Sequence, residues 1–209
     1  MSIESIISKF GTPEVPDFGP KKSAGLCEYF KYLLRGTIPT DELIVELGVF
    51  RMNTLGMINI NTGTHIVHGF DTFTGLPEDW KFGEGHIIYK QGCFSLDGYI
   101  PNNTDKNKFI VGKVEDTLAS FLIQENKKIR FIHLDLDLYS ATKTGLECIV
   151  NYIQKGTVIA IDDAYKLPGW EEHSIKALSE FIDTNNIRYE SVASVGIVDG
   201  WANIAIRVL

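Results

Sequence analysis

Two groups of aspartates are the first candidates for chemistry in this chain. One lies in His133-Leu134-Asp135-Leu136-Asp137, within the stretch IRFIHLDLDLY; the other is Asp162-Asp163, which closes GTVIAI. In the first stretch Ile132, Leu134, Leu136 and Leu138 alternate with His133, Asp135 and Asp137, the period of a strand with two different faces. GTVIAI, residues 156–161, is apolar and β-branched without alternation, as suits a strand buried on both faces of a parallel sheet. A helix beginning near Ser140 or Ala141 joins the two. Such a unit delivers both acidic ends to the carboxyl edge of the sheet, where ligands of open α/β sheets collect. Carboxylates gathered there repel one another unless protonated or neutralised. A hard cation neutralises them, so Asp135, Asp162 and Asp163 are the expected oxygen ligands of Mg²⁺. Asp137 also has a plain structural reading, as the cap of the following helix. His133 sits deeper in the strand and reads as a core histidine.

The elements upstream supply a second kind of site. Leu43 to Leu47 (LIVEL) reads as a buried strand that runs into Gly48, where the chain must turn sharply and a ligand can approach the backbone. A helix is expected over 54–60 and a second strand over 65–69. Asp71 follows that strand. An acidic residue there is where a ribose diol is gripped in nucleotide-binding α/β folds. The G-x-G-x-x-G fingerprint is absent, which argues against a classical NAD site. The long glycine-rich stretch 72–107 reads as a lid or substrate-side wall. In it Trp80, His86 and Tyr89 are candidate contacts or hydrophobic anchors. The remaining pattern predicts a strand at 108–112, a helix at 116–124 capped by Asp116, a helix at 171–184, and a closing antiparallel hairpin of 188–195 and 201–208. Residues 2–10 and 21–34 read as N-terminal helices around a proline-rich arm, which would cover the active-site edge or make a subunit contact.

With 209 residues the chain can bury one sizeable α/β core. Its net charge of −7 disfavours nonspecific binding to nucleic acid or to an anionic membrane. No apolar run is long enough to span a bilayer, and MSIESIISKF lacks a signal-peptide pattern. A cytoplasmic protein is expected. Cys27, Cys93 and Cys148 are odd in number and share no ligand spacing, so they read as reduced thiols. The expected organisation is an N-terminal helical arm, 1–39, on a single doubly wound domain, 40–209.

HGFDTFTGLPEDW, GCFSLDG, EDTL at 115–118, HLDLDLYSATKT, GTVIAIDDAY and PGWEEH occur in that order. This series resembles the macrocin O-methyltransferase family, S-adenosylmethionine-dependent sugar O-methyltransferases of the class I fold, over roughly residues 40 to 209. The resemblance implies a Rossmann-like sheet of about seven strands, the last antiparallel. It implies a cofactor site over the first two strands, with Glu46 and Gly48 near the methionine end and Asp71 on the ribose. Val49, Phe50, Asn53, Thr54, Thr72, Phe73, Lys113 and Asp135 complete that site. It implies Mg²⁺ on Asp135, Asp162 and Asp163, bound to neighbouring hydroxyls of a sugar, and a homodimer or larger assembly. The family's first loop reads close to EFGVYRGGS; here Met52 and Asn53 stand where glycines are usual. Methionine tolerates a left-handed backbone poorly.

Methyl transfer from a sulfonium to a hydroxyl needs in-line placement and a base, for which Asp135, Asp137 and His173 are the candidates. Two other readings compete. Asp135-Leu136-Asp137 is a D-x-D, as in metal-dependent glycosyltransferases, although that reading leaves Asp162-Asp163 and GFDTF unexplained. The other is a non-catalytic binding protein on a methyltransferase scaffold.

Overall fold

The structure is a computed structural model that describes residues 10, 16–19, 22–36, 38–83, 85–165, 169–196 and 202–209. The expected helix over 2–10 lies outside these except for its last residue. Helix α1 (Ser23–Leu33) precedes β1 (Leu43–Leu47), α2 (Asn53–Ile60) and β2 (Val67–Asp71). A small hairpin follows, β3 (Trp80–Phe82) with β4 (His86–Tyr89). Then come β5 (Asn107–Val111), α3 (Val114–Glu125), β6 (Ile129–Leu134), α4 (Tyr139–Ile149) and β7 (Val158–Tyr165). A short 3₁₀ turn (Trp170–Glu172) leads into α5 (Ser174–Asn185), and β8 (Tyr189–Val195) and β9 (Ala202–Val208) close the chain.

Seven strands form one sheet in the order β5-β2-β1-β6-β7-β9-β8. The first five in that row are parallel, and β9 runs antiparallel to both β7 and β8. The order reverses between β1 and β6, so the switch point falls where the sequence places Gly48 beside Asp135. The closing hairpin does not simply append to the edge. Its second strand inserts next to β7, and β8 becomes the border.

Strand residues alternate between two cores. Leu43, Val45, Leu47, Ile132, Leu134, Ile159 and Ile161 face α3, α4 and α5, which contribute Leu118, Leu146 and Leu178. Ile44, Phe131, Val158 and Ala160 face α1 and α2, through Tyr29, Phe30, Leu33, Leu55 and Ile58. The described part of the N-terminal arm is therefore integral to the packing. Pro16–Gly19 also runs along β8, where Phe18 N–H donates to the Ser194 carbonyl at 3.0 Å.

Several expected boundaries shift for identifiable reasons. β6 ends at Leu134, so Asp135 to Asp137 are loop rather than strand, and Asp137 adopts φ +61°. The residue before α4 is Leu138, and no side chain caps that helix, so Asp137 is not its cap. Asp116 lies in the first turn of α3, after Lys113, rather than at its cap. β7 begins later than expected and continues through Asp162-Asp163 to Tyr165. Its pairing with β9 slips between Ile161 and Tyr165, and Asp163 takes φ +48° at that irregularity. A bulge re-aims side chains next to a site. The stretch 72–107 is not wholly loop, because it contains the β3–β4 hairpin.

Candidate functional site

A cleft of ≈ 360 Å³ opens at the carboxyl edge over the switch point. One half is lined by Gly48, Val49, Phe50, Asp71, Thr72 and Lys113, the other by Asp135, Asp137, Asp162 and Asp163. Leu76, Pro77, Trp80, Tyr89 and Phe94 of the 72–107 stretch form a wall.

In the first half the chain organises its own backbone. Gly48 has φ +85°, and a Cβ there would collide with the Asp135 carbonyl oxygen. The close approach that demands glycine is thus to the neighbouring strand end. Gly48 N–H donates to the Phe70 carbonyl and Asp135 N–H to the Leu47 carbonyl, each at 2.8 Å, which ties β2, β1 and β6 together at the cleft floor. Asp71 then staples the loop. Its Oδ2 accepts the N–H groups of Val49 and Phe50, both at 2.8 Å, and its Oδ1 accepts Phe73 N–H at 2.7 Å. Phe50 and Met52 adopt φ +43° and +63°, so the position where methionine replaces the usual glycine is left-handed, as the sequence comparison implied.

Not every expected cofactor residue reaches the cleft lining. Glu46, Asn53, Thr54 and Phe73 lie outside it; Phe73 is fully buried in the core and Asn53 is exposed at the start of α2. Gly112, Val114 and Glu115 line it although only Lys113 of that segment had been singled out for the cofactor. Glu115 opens the EDTL segment, the signal that could have marked them.

The second half has buried polar residues behind it. Glu46 on β1 pairs in register with His133 on β6, whose register partner on β7 is Ala160; Asp162 lies two residues further along β7, and Asn203 lies on β9. His133 Nδ1 lies 2.9 Å from Glu46 Oε1. Its Nε2 lies 3.9 Å from Asp162 Oδ1 and has no hydrogen-bond partner among the described residues. Asn203 donates its amide to Asp162 Oδ1. Phe30 of α1 meets the imidazole edge-on at 5.1 Å. Burial pushes the Glu46 carboxyl up, and the hydrogen bond from His133 pulls it back. Burial, and then the charge of Asp162, push the Tyr29 hydroxyl well above the usual range. The expectation of His133 as a buried histidine holds. Asn203, a lone amide in the apolar strand ANIAIRV, went unnoticed.

Among the described residues, the group able to share a metal ion is His133, Asp135 and Asp162, whose ligand atoms lie within 4.8 Å of one another. Asp163 lines the same cleft outside that group. His173, the third candidate base, is buried behind Trp80, 5.7 Å ring to ring, and does not line the cleft. Burial lowers its proton affinity below the ordinary imidazole value. His86 is exposed and stacks on Phe82. Among the described residues the three cysteines are free, and no helix is long and apolar enough to cross a membrane.

A parallel sheet with this strand order, a glycine turn after β1 and an acidic staple after β2 defines the class I methyltransferase fold. Solved structures of similar fold include the calicheamicin methyltransferase CalS11, at 21% identity and TM-score 0.65 over 88% of this chain and 77% of that one. The O-methyltransferase NovP aligns at 18% identity and TM-score 0.61, over 88% and 78%. An O-methyltransferase from Bacillus cereus, in complex with SAH, aligns at 15% and 0.56, over 99% and 90%. No curated protein matches the chain. The model of the Macrocin-O-methyltransferase (TylF) family matches residues 99–202, and the chain is similar to that family over this stretch.

Proposed function

We propose that the protein is an S-adenosylmethionine-dependent O-methyltransferase that works with a divalent metal, Mg²⁺, on a hydroxyl of a sugar or a sugar-containing small molecule. The observation that carries this reading is the continuity of the cleft. The Gly48–Phe50 loop, Asp71 and Lys113 share one space with Asp135, Asp137, Asp162 and Asp163. CalS11 is described as a TDP-rhamnose 3'-O-methyltransferase, which supports a sugar acceptor.

The cofactor supplies the methyl group, and the Val49–Phe50 loop and Lys113 are the residues that would hold it. Asp71 keeps that loop in shape, and any bond to a ribose diol would use the remaining lone pairs of its carboxylate. Asp135 and Asp162 fit a hard cation as oxygen donors, with Asp163 on the same wall. When bound, such an ion lowers the pKa of a coordinated hydroxyl. Asp137, or Asp135, takes the proton from the acceptor hydroxyl. Trp80, Leu76 and Phe94 exclude water from the reacting groups. The same reading carries a cytoplasmic, homo-oligomeric protein.

The test is methyl transfer from labelled S-adenosylmethionine to a panel of nucleotide sugars, with and without EDTA. Turnover that stops in EDTA and returns with Mg²⁺ supports the reading. Asp137→Asn should lower turnover about 10²–10⁴-fold if Asp137 is the base. Binding of a nucleotide diphosphate without adenosylhomocysteine would favour the glycosyltransferase reading instead.

A further inference from the structure

We infer that the divalent cation is held through nitrogen as well as oxygen: His133 Nε2 is a ligand beside Asp135 and Asp162, and Glu46 is the positioning residue that aims it. This deepens the proposed function and rests on its metal site. The argument starts from the buried imidazole. His133 is fully buried, and a buried polar atom without a partner costs about 1–3 kcal/mol. Its Nδ1 is committed to Glu46, 2.9 Å away. In the tautomer in which Nδ1–H donates to an ionised Glu46, Nε2 presents its lone pair. That lone pair faces Asp162 Oδ1 across 3.9 Å, too far for a hydrogen bond and an unfavourable meeting of two acceptors. The gap is slightly less than the sum of two metal–ligand distances, about 4.2 Å, so both groups would be within reach of one cation.

Four further features favour an ion. Asp135, half-buried, adds a carboxylate within the same 4.8 Å group and lines the open cleft, giving an entry path. Asn203 donates to Asp162 Oδ1, the same oxygen that faces His133, and fixes the carboxylate. Glu46 on Nδ1 reproduces the carboxylate–histidine arrangement that fixes ring orientation at metal centres. Phe30 against the ring edge leaves the imidazole little freedom to turn away. A mixed nitrogen and oxygen set also changes the preferred metal. Imidazole raises affinity for the later first-row divalent ions over Mg²⁺, which prefers oxygen alone.

The direct test uses Mn²⁺ as a paramagnetic probe of the full-length protein, with no turnover required. Pulsed electron paramagnetic resonance of the wild-type complex should show nitrogen coupling from a directly bound imidazole. His133→Asn should abolish that coupling and weaken Mn²⁺ binding about tenfold or more. Adenosylhomocysteine affinity should stay within about twofold, because His133 does not line the cleft. Calorimetry should rank Co²⁺ above Mg²⁺ in the wild type and narrow that ratio in His133→Asn. Bound Mn²⁺ without nitrogen coupling in the wild type would overturn the inference and leave an all-oxygen site. If His133→Asn does not fold, the wild-type spectrum alone decides. If Mn²⁺ does not bind at all, the metal reading fails with the inference, whereas adenosylhomocysteine binding would still separate a methyltransferase from other enzymes.

Discussion

The two halves of the cleft handle charge in opposite ways. Over β1 and β2 a single carboxylate, Asp71, is satisfied by three backbone N–H groups of its own chain, so the loop is complete before any ligand arrives. Over β6 and β7 carboxylates gather around an imidazole whose outer nitrogen has no partner among the described residues. One half is preorganised by internal hydrogen bonds; the other gathers acidic side chains around a buried histidine. The difference comes from position along the strands. Asp71 is the last residue of β2, paired with Val111, and its carboxylate turns back on the loop. Glu46 and His133 are paired with each other inside β1 and β6, and Asp162 follows the last β6–β7 pair, Leu134 with Ile161.

Gly48 is the hinge between the halves, so breaking it should have the largest effect. Gly48→Ala places a Cβ on the Asp135 carbonyl at a positive φ, and about 3 kcal/mol or more of stability should be lost. Urea denaturation measures the loss, and both adenosylhomocysteine and Mn²⁺ binding should suffer together. Loss of one alone would show that the halves are not coupled through this contact.

The next pair of changes should separate the halves. Glu46→Ala leaves the buried His133 Nδ1 without its acceptor, and should cost about 1–3 kcal/mol. Mn²⁺ affinity should fall about 10–100-fold while the cofactor affinity changes little. Asp71→Ala should do the reverse. Three amides lose their acceptor, stability falls by about 2 kcal/mol, and adenosylhomocysteine binding weakens about tenfold or more with the metal affinity preserved. Equal effects of both variants on both ligands would erase the distinction.

A smaller effect concerns the wall. His68 and His173 are both held below the ordinary imidazole value of 6.5, chiefly by burial. Their folded forms bind fewer protons than the unfolded chain below that pH. The stability they contribute is therefore full above about pH 6.5 and is lost as the pH falls through their folded pKa values. Denaturation between pH 7 and pH 5 (roughly the imidazole window) should show the slope, and His173→Asn should flatten it. An unchanged slope would mean that His173 titrates normally.

The smallest effect is expected at Met52. Its φ of +63° costs a non-glycine residue about 1 kcal/mol, but glycine adds entropy to the unfolded chain and forfeits packing against the α1-side core. Met52→Gly should change stability by less than about 1 kcal/mol, and it should tighten cofactor binding modestly if the strain is borne by the loop. Weaker binding would show that the methionine side chain itself shapes the site.

Much of this was legible in the sequence. Hydrophobic runs located the strands, and the order of acidic ends gave the carboxyl edge, because those signals are local. What escaped depended on register and on bulges. Nothing local says that Asp162 lies within β7 near His133, nor that it accepts a hydrogen bond from Asn203, 41 positions away. Asp71 was read as a ribose ligand from its position. Its three bonds to the loop arise from where the backbone turns, which spacing does not encode. His133 was recognised as buried, but the unsatisfied nitrogen appears only once Glu46 fixes the other side of the ring.

The central claim is that one cleft joins a cofactor half to a metal half. Calorimetric titration of the wild-type protein with adenosylhomocysteine, first in EDTA and then with Mn²⁺, tests it most directly. The account predicts saturable micromolar-range binding of adenosylhomocysteine under both conditions, and a separate Mn²⁺ isotherm that Glu46→Ala weakens and Asp71→Ala does not. Absence of adenosylhomocysteine binding, with a nucleotide diphosphate binding in its place, would contradict it.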